Sequence, residues 1–141
     1  MEYQRFDQMI VLRVARGEEL LAAIEEVAKQ EAIHLAQVHG IGACDKVTIG
    51  SYNVDQQVYH TLNYQEELEL TNLTGNITTK DGEYYGHFHA NFGREDGQVV
   101  GGHLNEAWVS GTAEIFLTVI KGQVNRIKDD ETGLFIIQTQ P

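Results

Sequence analysis

Beyond residue 33 the side chains of this sequence alternate, and that alternation limits the fold more than any other feature. Apolar and polar residues change places at every second position in segments near Ile33 to His39, Lys46 to Asn53, Val58 to Asn63, Leu68 to Ile77, Tyr84 to Phe92, Val99 to Leu104, Thr112 to Ile120, Val124 to Lys128 and Leu134 to Gln138. A period of two sends successive side chains to opposite faces of an extended chain, so these segments read as strands with one face on a core. Turn chemistry separates several of them: KDGE (Lys80 to Glu83), REDGQ (Arg94 to Gln98), KGQ (Lys121 to Gln123) and DDETG (Asp129 to Gly133). Links this short join antiparallel neighbours.

The amino-terminal part differs. QMIVLRVA (Gln8 to Ala15) has the β-branched composition of a strand and ends at Gly17. In EELLAAIEEVAKQE (Glu18 to Glu31), Leu20, Leu21, Ile24, Val27 and Ala28 recur three and four residues apart, the stripe of an amphipathic helix. Glu18 and Glu19 fall in its first turn and Lys29 near its end, as the helix dipole favours. The 141 residues therefore predict one α+β domain over 1–141, mainly antiparallel sheet with one principal amphipathic helix. A chain of this length buries roughly two-thirds of its unfolded surface in one core.

Charge and cysteine usage restrict function. With 21 acidic against 10 basic side chains the formal charge is -11, and the basic residues form no arm or stripe. A duplex carrying one negative charge per about 1.7 Å repels such a surface, so direct DNA binding is not expected. Cys44 is the only cysteine, which excludes an internal disulfide and a thiolate-rich zinc site. MEYQRFDQMIVLRV lacks the features of a secretion signal, and no run of about 18 apolar residues occurs, so a cytoplasmic chain without a membrane span is expected.

The chemistry-bearing stretch is YYGHFHANFGREDGQVVGGHLN, Tyr84 to Asn105, with three of the six histidines. On a strand, His87 and His89 share one face while Phe88, Ala90 and Phe92 take the other. If Glu95, Asp96 and Gly97 form a three-residue hairpin loop with Gly97 left-handed, Arg94 pairs with Gln98 and His89 falls opposite His103. Cross-strand β-carbons stand about 4.5–5.5 Å apart, so one ion about 2.0–2.1 Å from each nitrogen could take all three imidazoles. Three neutral histidines suit zinc, copper, iron or nickel and leave positions open for water or a small-molecule ligand. The alternative is a set of polar cross-strand neighbours that holds no ion, and a bulge at Gly101-Gly102 would shift the register.

Glu114, in GTAEIFLTV, shares a strand face with Thr112, Phe116, Thr118 and Ile120. It is a candidate to orient a ligand histidine or to carry a proton, set against a solvated strand glutamate. His34, His39 and His60 show no comparable pairing, and GIGAC (Gly40 to Cys44) reads as a glycine-rich turn without phosphate-loop spacing. A cupin-like set of His87, His89, Glu95 and His103 is a further arrangement, but the second cupin motif normally contains proline and the chain has only Pro141.

Taken with LTNLTGNI (Leu70 to Ile77), GREDGQVVGGHL and AEIFLTV, the histidine stretch resembles the PPC domain, the plants-and-prokaryotes-conserved family, over almost the whole chain. That resemblance implies an α+β fold assembled as a homotrimer. Plant members carry an AT-hook that grips DNA while the PPC domain joins partners. The Arg-Gly-Arg-Pro core of such a hook is not in this sequence, and the plant segment Gly-Arg-Phe-Glu-Ile-Leu is met by Glu66, Glu67, Leu68, Glu69, Leu70 and Thr71, which keep only the glutamate. A free-standing prokaryotic type is implied. The domain is also similar in fold to alpha-acetolactate decarboxylase, which holds zinc through a His-x-His pair and a later histidine. That likeness makes His87, His89 and His103 the metal ligands and zinc the expected ion, and it leaves a metal-dependent lyase or hydrolase acting on a small molecule as an alternative to a role in assembly or regulation.

Overall fold

The computed structural model describes residues 1–139. In chain order it forms β1 (Glu2–Phe6), β2 (Met9–Ala15), α1 (Leu20–Gln30), β3 (Ala36–Asn53), β4 (Val58–Lys80), β5 (Glu83–Gly93), β6 (Val99–Val119), β7 (Arg126–Lys128) and β8 (Phe135–Ile137). Strands β1 to β6 make one antiparallel sheet in the order β1-β2-β6-β3-β4-β5, and β7 and β8 a small sheet of their own. The long β6 pairs with β3 from His103 to Val119, with β5 over Val99–His103 and with β2 over Thr112–Thr118. Its pairing to β5 closes β3, β4, β5 and β6 into a ring.

The alternation predicted from the sequence is what fills that ring. Ala113, Ile115 and Leu117 of β6 are fully buried, with Leu68, Leu70, Leu73 and Ile77 of β4 and Phe88, Ala90 and Phe92 of β5 also in the core. Helix α1 packs on β6, β5 and β2 through Leu20, Ala23, Ile24, Val27 and Ala28. Burying each of Leu20, Ile24 and Val27 stabilises by about 1.5–3 kcal/mol, so α1 is held by packing more than by its own propensity.

Three local expectations are corrected. Glu19 does not lie in the first turn of α1: it is the N-cap, its carboxylate accepting from Ala22 N at 2.6 Å and from Ala107 N at 2.9 Å, which ties the helix start to β6. Glu18 precedes the helix and accepts from the amino terminus and from Ala15 N. Next, Ile33–His39 and Lys46–Asn53 are not separate strands with a turn at GIGAC. From Ala36 onwards they belong to one strand, β3, whose register shifts at Gly40/Gly42 and Cys44/Lys46. The glycines let β6 approach: a β-carbon on Gly42 would lie 2.6 Å from Thr112 O and 2.7 Å from Ala113 Cα, so the segment is bulged, not turned. Finally, β1 went unpredicted because EYQRF is a short, mostly exposed edge strand with little apolar alternation.

Candidate metal centre

Two strands and the one turn between them bring the histidines together. In β5 the side chains alternate as the sequence requires, with Phe88 and Ala90 buried and His87 and His89 on the opposite face. The chain then reverses at Arg94–Gln98, where Arg94 N donates to Gln98 O at 2.8 Å, Gly97 N to Arg94 O at 2.8 Å, and Gly97 takes φ 81°. Asp96 Oδ1 accepts from Gln98 N at 2.9 Å, an Asx contact that favours this turn. The register that follows is continuous, His89 opposite His103 and Gly93 opposite Val99, with no bulge at Gly101-Gly102. The extra residue of β6 comes later, at Asn105, between the Ile49–Leu104 and Thr48–Glu106 pairs.

The three imidazoles form a compact triangle. Ring centroids are 5.3 Å apart for His87 and His89, 5.1 Å for His87 and His103, and 5.6 Å for His89 and His103. One nitrogen from each can be chosen so that all lie within 4.8 Å of one another. Nitrogens sharing one tetrahedral zinc stand about 3.4 Å apart, given bonds of about 2.0–2.1 Å, so the three rings need to close by no more than about 1.4 Å to share an ion. His87 and His103 are half-buried and His89 is exposed. Burial, then the neighbouring His103, Arg126 and His89, push the His87 pKa down to about 4. His103 is lowered for the same reason, burial first and His89 second. Both are thus neutral near pH 7, the form that ligates a metal, and no carboxylate belongs to the set among the described residues. The donors fit a borderline divalent ion such as zinc.

The other candidates lie elsewhere. Glu114 is exposed on β6 between Arg13 of β2 and Ile41 of β3, whereas His103 sits between Gly50 of β3 and His89 of β5. The structure therefore does not bring Glu114 to the histidines. Glu95 is exposed on the hairpin loop, outside the cupin-like arrangement. His34, His39 and His60 are exposed and apart from the triangle, His39 stacking on Phe116.

A cleft of about 770 Å³ opens over the triangle, and its walls include residues that the sequence did not single out. Tyr59 meets His103 edge-on and donates to Asn105 Oδ1 at 2.6 Å. Asn76 is the cross-strand partner of His87. The β7–β8 hairpin roofs the cleft, held at its turn by Tyr52 Oη donating to Thr132 O at 2.9 Å and at its base by Arg126. The DDETG signal marks that hairpin, but nothing local in the sequence says which strand it lands on.

Residues 1–121 match the family described as the Plants and Prokaryotes Conserved (PCC) domain. Among solved structures, a plant- and prokaryote-conserved protein from Pyrococcus horikoshii is 35% identical with TM-score 0.86, the alignment covering 99% of this chain and 95% of that one. A metal-containing protein from Archaeoglobus fulgidus is 33% identical with TM-score 0.88, covering 98% and 97%. A protein from Bacteroides thetaiotaomicron described as a candidate DNA-binding protein is 26% identical with TM-score 0.95, covering 97% and 96%. Among curated proteins, none matches. On a family match that runs from residue 1 to residue 121, through the helix and all three clustered histidines, the chain belongs to the plants-and-prokaryotes-conserved domain family.

Proposed function

We propose that this chain binds one divalent transition-metal ion, zinc in first place, through His87, His89 and His103, as a cytoplasmic homotrimer that acts on or senses a small molecule. The observation that carries the reading is the convergence of three imidazole nitrogens within 4.8 Å at the floor of a cleft. The Archaeoglobus relative, described as metal-containing, supports it. Three protein ligands leave positions open, and a metal held in that way can polarise a carbonyl or lower the pKa of bound water. The chain's own part is to fix the three rings on one hairpin and to keep His87 and His103 neutral. The alternative of a metal-dependent lyase or hydrolase uses the same centre and needs a proton carrier other than Glu114; Tyr59, whose ring meets that of His103 edge-on, is a candidate.

Assembly is supported by the apolar side chains left outside, among them Ile41, Leu62 and Val99, each more than half exposed. A cytoplasmic location is supported by the buried free thiol of Cys44. Among the described residues no helix is long and apolar enough to cross a membrane. Direct DNA binding is disfavoured by the charge of -11, even though two neighbours carry that description. The test is elemental analysis of untagged protein, wild type beside a His87→Ala/His89→Ala double variant whose fold is checked by circular dichroism. Near one metal per chain in the first and none in the second is expected; equal metal in both would remove the proposal.

A further inference from the structure

Arg126 is the only charged side chain that is buried among the described residues, with 6% of its surface exposed. Its guanidinium reaches three neutral acceptors: Nε to Thr78 Oγ1 at 2.8 Å, Nη1 to Phe135 O at 2.9 Å and Nη2 to Asn76 Oδ1 at 2.9 Å. It also lies over the Tyr85 ring, 4.8 Å from its centre. No carboxylate pairs with it among the described residues, although Arg5, Arg13, Lys29, Lys46 and Arg94 all have one at more exposed positions. A guanidinium has five N–H donors and stays charged, so two donors and the whole charge remain to be answered. A buried charge without a counter-ion is a heavy cost to leave standing in a chain with 21 acidic residues.

Where the uncompensated charge sits matters more than its amount. Arg126 lines the same cleft as His87, His89 and His103, and none of the described residues lining that cleft is Asp or Glu. Asn76, which the guanidinium holds, is the cross-strand partner of His87, so the cation stands one neighbour away from the histidine triangle. One wall is apolar, built from Leu134, Phe135, Ile136 and Ile137 of the roofing hairpin. In an acidic protein this is a positively charged pocket with a greasy side, and the uncompensated guanidinium favours an anion beside it.

We propose that the cleft binds a small organic acid, its carboxylate on the two free N–H groups of Arg126, its aliphatic body along Leu134 and Ile136, and its other end at the histidine centre. The planar fork of a guanidinium matches a planar carboxylate, and the single charge of that group answers the single charge of Arg126. The Arg126 anchor stands by itself; only the placement of the far end rests on the metal reading above.

The probe is 3-methylbutanoate, titrated calorimetrically beside its neutral amide and beside inorganic phosphate. Wild type, Arg126→Met, Ile137→Glu and the His87→Ala/His89→Ala double variant are compared. Ile137 is directly opposite Arg126 in the β7–β8 pair and is 42% exposed, so a glutamate there supplies an internal counter-ion without burying a new group. The acid is expected to bind wild type and the amide not, with affinity falling about 10- to 100-fold in both Arg126→Met and Ile137→Glu, the worth of one hydrogen bond to a charged group. Acid and amide binding alike, an unchanged affinity in Ile137→Glu, or binding of phosphate but not of the acid would overturn the inference. Acid binding lost in the histidine double variant yet kept in Arg126→Met would overturn it too, by placing the acid on the metal. If no sample holds metal while acid binding remains sensitive to Ile137→Glu, the metal proposal fails and the Arg126 site stands.

Discussion

Replacing Gly102 by alanine puts the seam beside the metal centre under a measurable load. A β-carbon at Gly102 would sit 2.5 Å from Gly50 O, and 3.4 Å and 3.7 Å from Gly50 C and N. Reaching even 3.0 Å, the short limit for a real contact, requires β3 and β6 to part by 3.0 − 2.5 = 0.5 Å, since the obstacle is backbone and has no rotamer to adopt. Overpacking of this kind costs about 1–3 kcal/mol. The alanine also gains about 0.4–1 kcal/mol by restricting the unfolded chain. The net expectation is a loss of about 1–2 kcal/mol, or about 0.5–1 M in the urea midpoint for a slope near 2 kcal/mol/M. Because His103 is the next residue and pairs with both Gly50 and His89, the same shift moves one corner of the triangle, and metal retained after dialysis should fall. The control is Gly111→Ala, where the nearest atom is Ala43 Cβ at 3.6 Å and no loss is expected. Midpoints must be compared at one chain concentration, because assembly would add to stability. Gly102→Ala equal to or above wild type, or indistinguishable from Gly111→Ala, would refute the reasoning.

Further outcomes follow from single groups. Burial, then Asp45, Glu19 and Glu67, push the Cys44 thiol up to about 12. An unfolded thiol ionises above its ordinary value of 9.0, so the folded chain binds more protons between 9 and 12; the stability from this group is intact below pH 9 and is lost as pH rises towards 12. Comparing wild type with Cys44→Ala at pH 8 and pH 10.5 checks the sign: the wild-type urea midpoint should drop more steeply. At pH 8 the same thiol should react with a disulfide reagent only on unfolding, and rapid labelling of native protein would contradict its burial. On duplex DNA at about 150 mM salt no mobility shift is expected, since so acidic a chain gains little from counterion release; a shift whose salt dependence fits several phosphate contacts would reverse that expectation.

The hairpin that carries the histidines was legible because its determinants are local. Gly97 and the residues around it dictate a three-residue loop, the loop dictates the register, and alternation dictates the face, so the His89–His103 pair follows from the sequence. The helix stripe was legible for the same reason, although Glu19 acts as its cap and not as a first-turn charge. Long-range pairings were not legible. Alternation cannot reveal that β6 serves three neighbours in succession, nor that GIGAC continues a strand, because what decides the matter is the backbone of Thr112 and Ala113 arriving from far along the chain. Arg126 carries no local signal for the same reason: a lone arginine between asparagine and isoleucine reads as a solvated strand end until β4 is laid beside it.

Closure of the ring also sets an order of events. Every β3–β6 pair, from Gly50–His103 to Ala36–Val119, joins residues far apart in the chain, whereas His89 needs only the hairpin at Arg94–Gln98 to meet His103. Contacts of short sequence separation form at little loop entropy and those of long separation late. The imidazoles should therefore gather while most of the barrel is still open, and an ion captured then would act as a clasp on a hairpin that is marginal by itself in water. Folding rates measured with and without zinc would read this directly: metal that accelerates folding is already bound in the transition state, whereas metal that only slows unfolding arrives after the ring has shut.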